Sequence, residues 1–316
     1  MTVYEYPKCI SDGIKIPSCA LALGFFDGVH IAHRELMSVA KANAERLALP
    51  FGIFTFSSGS GIKDSSPRLY ADKERLSLFE SLGADIVIMA DFSQIRSLSP
   101  DSFVCDVLAR DCGCRCCVAG FNFRFGKAAA GSASDLERLM RELGRSAVIC
   151  DEMKRDGKTV SATLIRSYMA EGKIKEANAL LGTPYFIKGR VAHGNHEGRR
   201  LGYPTVNMEI DCGRTLLRLG VYRSAVVVGD KIYSSLTNIG RCPTFDEREI
   251  HAETYILDFD GDLYGDEICV YLLGFLRDEA RFSTPSELIE QINNDKKKAI
   301  KENGDLTWQE LGLSLQ

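Results

Sequence analysis

Two rhythms of apolar residues run along this chain, and one gives way to the other past its middle. In the first part, CALALGFF (residues 19–26), FGIFTF (51–56), ADIVIM (84–89) and CCVAGF (116–121) are apolar runs that predict buried strands. The first of them ends at an Asp27-Gly28 turn. Between the runs, apolar residues return every three or four positions. Leu36, Met37, Ala40, Ala44 and Leu47 share one helix face, and helical patterns also cover 72–82 and 100–110. Strands alternating with helices predict a parallel sheet with helices on both faces, and ligand sites beyond the carboxyl ends of its strands.

The rhythm changes near residue 182. Two short helical segments, 163–170 and 174–181, stop at Gly172 and Gly182, with Pro184 just beyond. From 186 to 276 the chain is a series of short strands rich in Val, Ile and Tyr, punctuated by Gly-Asp and Asp-Gly turns. That pattern predicts a small antiparallel barrel. The last element reads as a helix, with Thr284 as N-cap, Pro285 in the first turn and Glu287 completing a capping box. Leu288, Ile289 and Ile292 form its expected apolar face, and Lys296, Lys297 and Lys298 a solvated stretch. The expected domains are 1–182 and 183–316.

Composition narrows the partners. The 316 residues are 45% hydrophobic with a formal charge of −4, enough for two cores and too acidic for a general nucleic-acid or membrane binder. The first residues, MTVYEYPKCISDGIKIPSC, lack the basic-then-apolar order of a signal peptide, and no apolar run reaches membrane-spanning length. The expected location is the cytoplasm. Eleven cysteines, densest in CGCRCC (112–117), suggest disulfides or a metal. Yet neighbours on a strand point to opposite faces, and the spacing departs from paired C-x-x-C ligands. The run reads instead as buried strand, with Cys as a small hydrophobe.

LGFFDGVHIAH places two of the five histidines, His30 and His33, just after a strand and at the start of a helix. Metal ligands, core residues and donors for an anion are the available readings. The placement favours the third, because free N–H groups at a helix start attract anions and imidazoles add donors and charge. Nucleotidyl transfer needs such donors as pyrophosphate leaves the α-phosphate. GFNFRFGK (120–127) imitates a phosphate loop, but five residues separate its glycines and Ala128 stands where Ser or Thr would hold Mg²⁺. Asn122 and Arg124 still fall at a strand's end on the ligand side. VSATLIR (160–166) offers Ser161, Thr163 and Arg166 around a helix start, for capping or for ligand.

The richest stretch is GNHEGRRLGYPTVN (194–207). Its glycines, Gly198 and Gly202 among them, let backbone approach phosphate oxygens beside Arg199, and Pro204 stiffens the exit. Thr205 and Asn207 then present neutral oxygens two apart on one side of a strand, a donor set suited to Mg²⁺ with a nucleotide's phosphates. Glu253 is a carboxylate within an apolar strand, so it lies either at an exposed edge or in use, for instance as a general base.

Together these stretches, with SLSPDSFV, TNIGRCPTF, HAETYILDF, GDLYG and FLRDEARF, resemble the bacterial bifunctional riboflavin kinase/FMN adenylyltransferases over nearly the whole chain. The resemblance implies an α/β plus β fold, a Rossmann-like nucleotidyltransferase domain followed by a small antiparallel barrel with a terminal helix. It implies ATP, riboflavin and FMN as substrates with Mg²⁺, Thr205 and Asn207 holding Mg-ATP, and Glu253 activating the riboflavin 5′-hydroxyl. His30 and His33 would serve adenylyl transfer. Gly24, Phe26, Asp27, Asn122, Ser161, Thr163, Arg166, Gly198, Arg199, Gly202, Pro204 and Arg277 would contact nucleotide or flavin. The chain differs from the family pattern at Phe25 or Phe26 (usually Asn), Ala32 (Gly), Ala162 (Ser), Val206 (Ala) and in SSGSG after Phe56. From the residues alone, a kinase whose first domain only supports the fold and a non-catalytic flavin sensor also stay open.

Overall fold

The structure is a computed structural model that describes residues 1–59, 67–192, 201–210, 213–241, 250–304 and 306–313. Its contacts divide the chain into two compact units, Met1–Ala162 and Thr163–Gln316.

The first unit is built on six strands: β1 (Thr2–Tyr6), β2 (Cys19–Leu23), β3 (Phe51–Phe56), β4 (Ile86–Ala90), β5 (Cys114–Gly120) and β6 (Ser146–Cys150). They pair in the order β1-β4-β3-β2-β5-β6, and every pairing is parallel. The expected parallel sheet is thus present, and β1 and β6 extend it at its two edges. Strand order reverses between β2 and β5, the position at which sheets of this kind take ligands beyond their strand ends. On one face the helices Ile31–Leu47 and Asp72–Ser81 bury Leu36, Met37, Ala40, Ala44 and Phe79 against the sheet. On the other, the wide-turned helix Phe103–Asp111 and the helix Ala133–Glu142 bury Val104, Val107, Leu108, Leu136 and Met140. Cys116 packs on the first face and its neighbour Cys117 on the second with Cys19, Cys112 and Cys114; a register shift between Cys114 and Cys116 against β2 puts Cys114 on the same face as Cys117.

After a short hairpin, β7 (Lys154–Arg155) with β8 (Lys158–Thr159), the second unit begins with the helices Ala162–Ala170 and Ile174–Leu181. It continues as β9 (Tyr185–Arg190), β10 (Thr205–Ile210), β11 (Gly220–Val228), β12 (Lys231–Arg241), β13 (Ile250–Ile256) and β14 (Glu267–Arg277). These pair antiparallel in the order β10-β13-β12-β11-β14-β9, and a bridge from Ala192 to Asn207 brings the two ends of the sheet toward closure. The inside of the barrel is partly polar. Ser224, Ser235, Thr237 and Thr254 have no exposed surface and satisfy one another through hydroxyl contacts of 2.7–2.9 Å.

The helix Pro285–Asn303 closes the unit. Thr284 caps it by accepting from the Glu287 N–H, while the Glu287 carboxylate accepts from Ser283 rather than from the cap residue itself. Its buried positions are Asp295, Ala299 and Asn303. The expected apolar face is only half-buried, because Leu288 and Ile292 border a cavity instead of a core.

Candidate active sites

In the first unit the segment joining β2 to the helix Ile31–Leu47 is a tight turn. Phe26 (φ 53°) and Val29 (φ 45°) stand in the left-handed region on either side of Gly28 (φ 87°). A β-branched residue there is unusual, and each such position costs about 1–3 kcal/mol and persists only where its surroundings impose it. They do. Phe26 and Val29 are buried in the core, and a Cβ at Gly24 would lie 2.7 Å from the Phe26 ring. The Asp27 carboxylate accepts from the Leu69 N–H at 2.9 Å. The side chains of Phe26 and Asp27, expected at the ligand, are therefore engaged inside the protein.

His30 is the N-cap of the helix, and its Nδ1 accepts from the His33 N–H. An accepting Nδ1 leaves the ring proton on Nε2, so the neutral imidazole is a donor there. The two rings stack at 3.5 Å, with the Phe26 ring edge-on to His33. Burial pushes the His30 pKa down to about 4. Burial thus favours the neutral form of His30, a donor through Nε2, since desolvation disfavours its charged form.

Beyond the ends of β3, β4 and β5 lies a cavity of about 510 Å³ whose walls carry Phe56, Phe92, Phe103, Phe123 and Phe125. Sequence reading missed it. Its signal was the alternation of rings in FNFRF, which puts Phe123 and Phe125 in contact at 5.7 Å while Phe121 stays exposed. Asn122 lies on an exposed turn just past β5, and the Arg124 guanidinium donates to the Ala129 carbonyl. Ser161 closes the first unit. Thr163 and Arg166 open the second, 3.4 Å apart.

In the second unit the predicted residues converge. Asn207 is directly opposite Glu253 across β10 and β13, and Asn238 faces the same carboxylate from β12. The Thr205 hydroxyl donates to Glu253 Oε1 at 2.7 Å. Because β13 lies between two strands, Glu253 is not at a sheet edge. Its neighbours Ala252 and Thr254 point into the barrel, and Glu253 points outward into a cavity of about 370 Å³ beneath the terminal helix. Thr205, Tyr255, Arg277, Phe282 and Leu288 share that cavity. A second cavity, also about 370 Å³, lies between Asn207, Val206, Phe259 and Tyr264 and shares Thr205 with the first. Thr205 thus stands at the junction of the two.

Arg277 is held by a buried carboxylate: its Nε donates to Asp295 at 2.8 Å, and Gln291 donates to the other oxygen. Pro204 borders the second cavity, and Gly202 precedes it with φ 85°. Gly198 and Arg199 lie outside the described residues.

Both parts of the chain have counterparts among known proteins. Residues 14–164 match the FAD synthetase family model and residues 181–302 the riboflavin kinase family model. The bifunctional riboflavin kinase/FMN adenylyltransferase of Listeria monocytogenes is 33% identical over 302 residues, covering 93% of this chain and 95% of that protein. Its Bacillus subtilis counterpart is 32% identical, covering 89% and 91%. The crystal structure of a macrolide-efflux protein from Streptococcus pneumoniae superimposes with a TM-score of 0.84 at 29% identity, covering 96% of this chain and 99% of the other. Among the described residues no helix is long and apolar enough to cross a membrane. With a synthetase and a kinase domain in the order of these relatives, the chain belongs to the bifunctional riboflavin kinase/FMN adenylyltransferase family.

Proposed function

We propose that the second unit moves the γ-phosphoryl group of ATP to the riboflavin 5′-hydroxyl, giving FMN and ADP, and that residues 1–182 then join AMP from a second ATP to FMN, giving FAD and pyrophosphate. The kinase half is assigned to 183–316. The observation that carries the reading is the Thr205–Glu253 hydrogen bond between two cavities, with Asn207 in register beside it. Glu253 lines the cavity beneath the terminal helix, which is assigned to riboflavin. Asn207 lines the other, which is assigned to the ATP phosphates.

Glu253 accepts the 5′-hydroxyl proton as that oxygen attacks the γ-phosphorus and ADP leaves. Thr205 and Asn207 fit Mg²⁺: the threonine's hydrogen is committed to Glu253, which leaves its lone pairs, like the asparagine carbonyl, for a hard cation. Bound there, Mg²⁺ neutralises phosphate charge. Arg277, fixed by Asp295, lines the riboflavin cavity, and Gly198, Arg199, Gly202 and Pro204 flank the phosphates.

For adenylyl transfer, an FMN phosphate oxygen attacks the α-phosphorus and pyrophosphate departs. The His30 Nε2–H and the helix start donate to the charged oxygens, with His33, Asn122 and Ser161 as further contacts. The aromatic cavity by Phe56 and Phe123 takes the flavin ring of FMN. Nine described cysteines form no disulfide, which suits a cytoplasmic enzyme.

Chromatographic analysis of protein incubated with riboflavin and Mg-ATP should show FMN and then FAD. No FMN would overturn the kinase assignment. FMN without FAD at saturating ATP would leave the kinase alone, and flavin binding without either product would favour a sensor.

A further inference from the structure

Arg75 is the bulkiest of the fully buried side chains among the described residues, 1% exposed. It comes from the helix Asp72–Ser81, whose ordinary task is to cover the sheet. A guanidinium is a costly way to fill a core, so its bonds are informative. One terminal nitrogen donates to the Phe25 carbonyl at 2.7 Å and to the Thr55 hydroxyl. The other donates to the Phe56 carbonyl at 3.0 Å and to Asp72 at 2.9 Å. Thr55, with no exposed surface, adds its own hydrogen bond to the Phe25 carbonyl at 2.9 Å. The Phe25 ring lies over the same guanidinium, 5.3 Å away, and 5.1 Å from that of Arg68.

The two backbone carbonyls that Arg75 grips belong to different subsites. Phe25 opens the strained turn that leads to His30, and Phe56 is the last residue of β3 and a wall of the aromatic cavity. Resting on the proposed adenylyl transfer, we infer that Arg75 is a positioning residue for that reaction. It fixes the turn bearing the ATP donors relative to the cavity holding the flavin, and so sets the approach of the FMN phosphate to the α-phosphorus. It touches neither substrate. Misplacing reactants by a fraction of an ångström chiefly harms turnover, since each subsite can still bind its own ligand.

The test uses the full chain, whose riboflavin kinase activity is an internal control. In Arg75→Met, kcat for FAD formation from FMN and ATP should fall at least tenfold, with the KM values for ATP and FMN changed less than threefold and FMN formation unchanged. Arg75→Lys, which keeps the charge and can still reach a carbonyl, should recover part of kcat. Thr55→Val, which removes one donor to the Phe25 carbonyl, should give a smaller fall of the same kind, and Thr55→Ser should not. These serve if Arg75→Met loses its folded first unit by circular dichroism. Wild-type kcat in Arg75→Met, or a loss confined to the KM for ATP, overturns the inference. So does a Thr55→Val enzyme with unaltered kcat if the methionine variant does not fold. A wild-type chain that makes FMN but no FAD overturns the adenylyl-transfer reading, and this inference with it.

Discussion

In the second unit the side chains proposed to carry the chemistry occupy paired strands, whereas in the first they sit on turns held from outside. Thr205, Asn207, Asn238 and Glu253 keep their places because backbone ladders on both sides of β13 fix the register. His30 keeps its place because Asp27 is tied to Leu69 and Phe25 to Arg75, contacts made 42 and 50 residues further along the chain. Strand pairing is shared among many bonds, so one substitution on its outward face removes a functional group and little else. A turn held by a few long-range bonds is less forgiving, because function and local folding draw on the same contacts.

Four experiments break or sharpen that contrast, in descending size. Glu253→Gln should lower FMN formation by about 10³-fold, the scale of a lost general base, while keeping its bond from Thr205 and its affinity for riboflavin. FAD formation from supplied FMN should not change; if it does, the two sites are not independent.

The second concerns pH. In the unfolded chain His30 takes up its proton near 6.5, but in the folded chain only near 4. Between those values the unfolded state binds more protons, so stability present above about pH 6.5 is lost as pH falls toward 4. The loss should approach about 3 kcal/mol, and His30→Gln should flatten the pH dependence of the first unit's unfolding across that window.

Third, His30→Ala should cut FAD formation by about 10²-fold or more through the lost donor, and leave FMN formation untouched. Fourth, Ala32→Gly removes a methyl from the first turn of the helix beside His30 and should lower the KM for ATP a few-fold, at a helix-propensity cost of about 1 kcal/mol. An unchanged KM would show that the methyl does not crowd the nucleotide.

The same contrast governs what could be read from the sequence. Four interior strands of the first unit show as apolar runs because both of their faces are covered. β1 and β6 did not show, since as edge strands they bury little: TVYEY is mostly exposed and SAVIC has no fully buried residue. Period-two spacing was enough to put Thr205 and Asn207 together, and an isolated mid-strand Glu253 invited a chemical role. Nothing in the spacing of 25, 55 and 75 shows that these residues meet, because their meeting is made by sheet topology. Nor did the helical rhythm of 100–110 reveal that the helix is wide-turned from Phe103 onward. For Phe26 and Asp27 the sequence locates the turn but not which way the side chains go.

The thiols on the sheet's second face bear on motion rather than chemistry. Cys19, Cys112, Cys114 and Cys117 have no exposed surface, and burial raises the pKa values of Cys19 and Cys112 far out of the thiolate range. An alkylating reagent meets them only when the sheet parts from the helices covering it, and reacts with the thiolate. Their labelling rate therefore reads the frequency with which the first unit opens, and the difference made by ATP or FMN measures how far each substrate holds it shut.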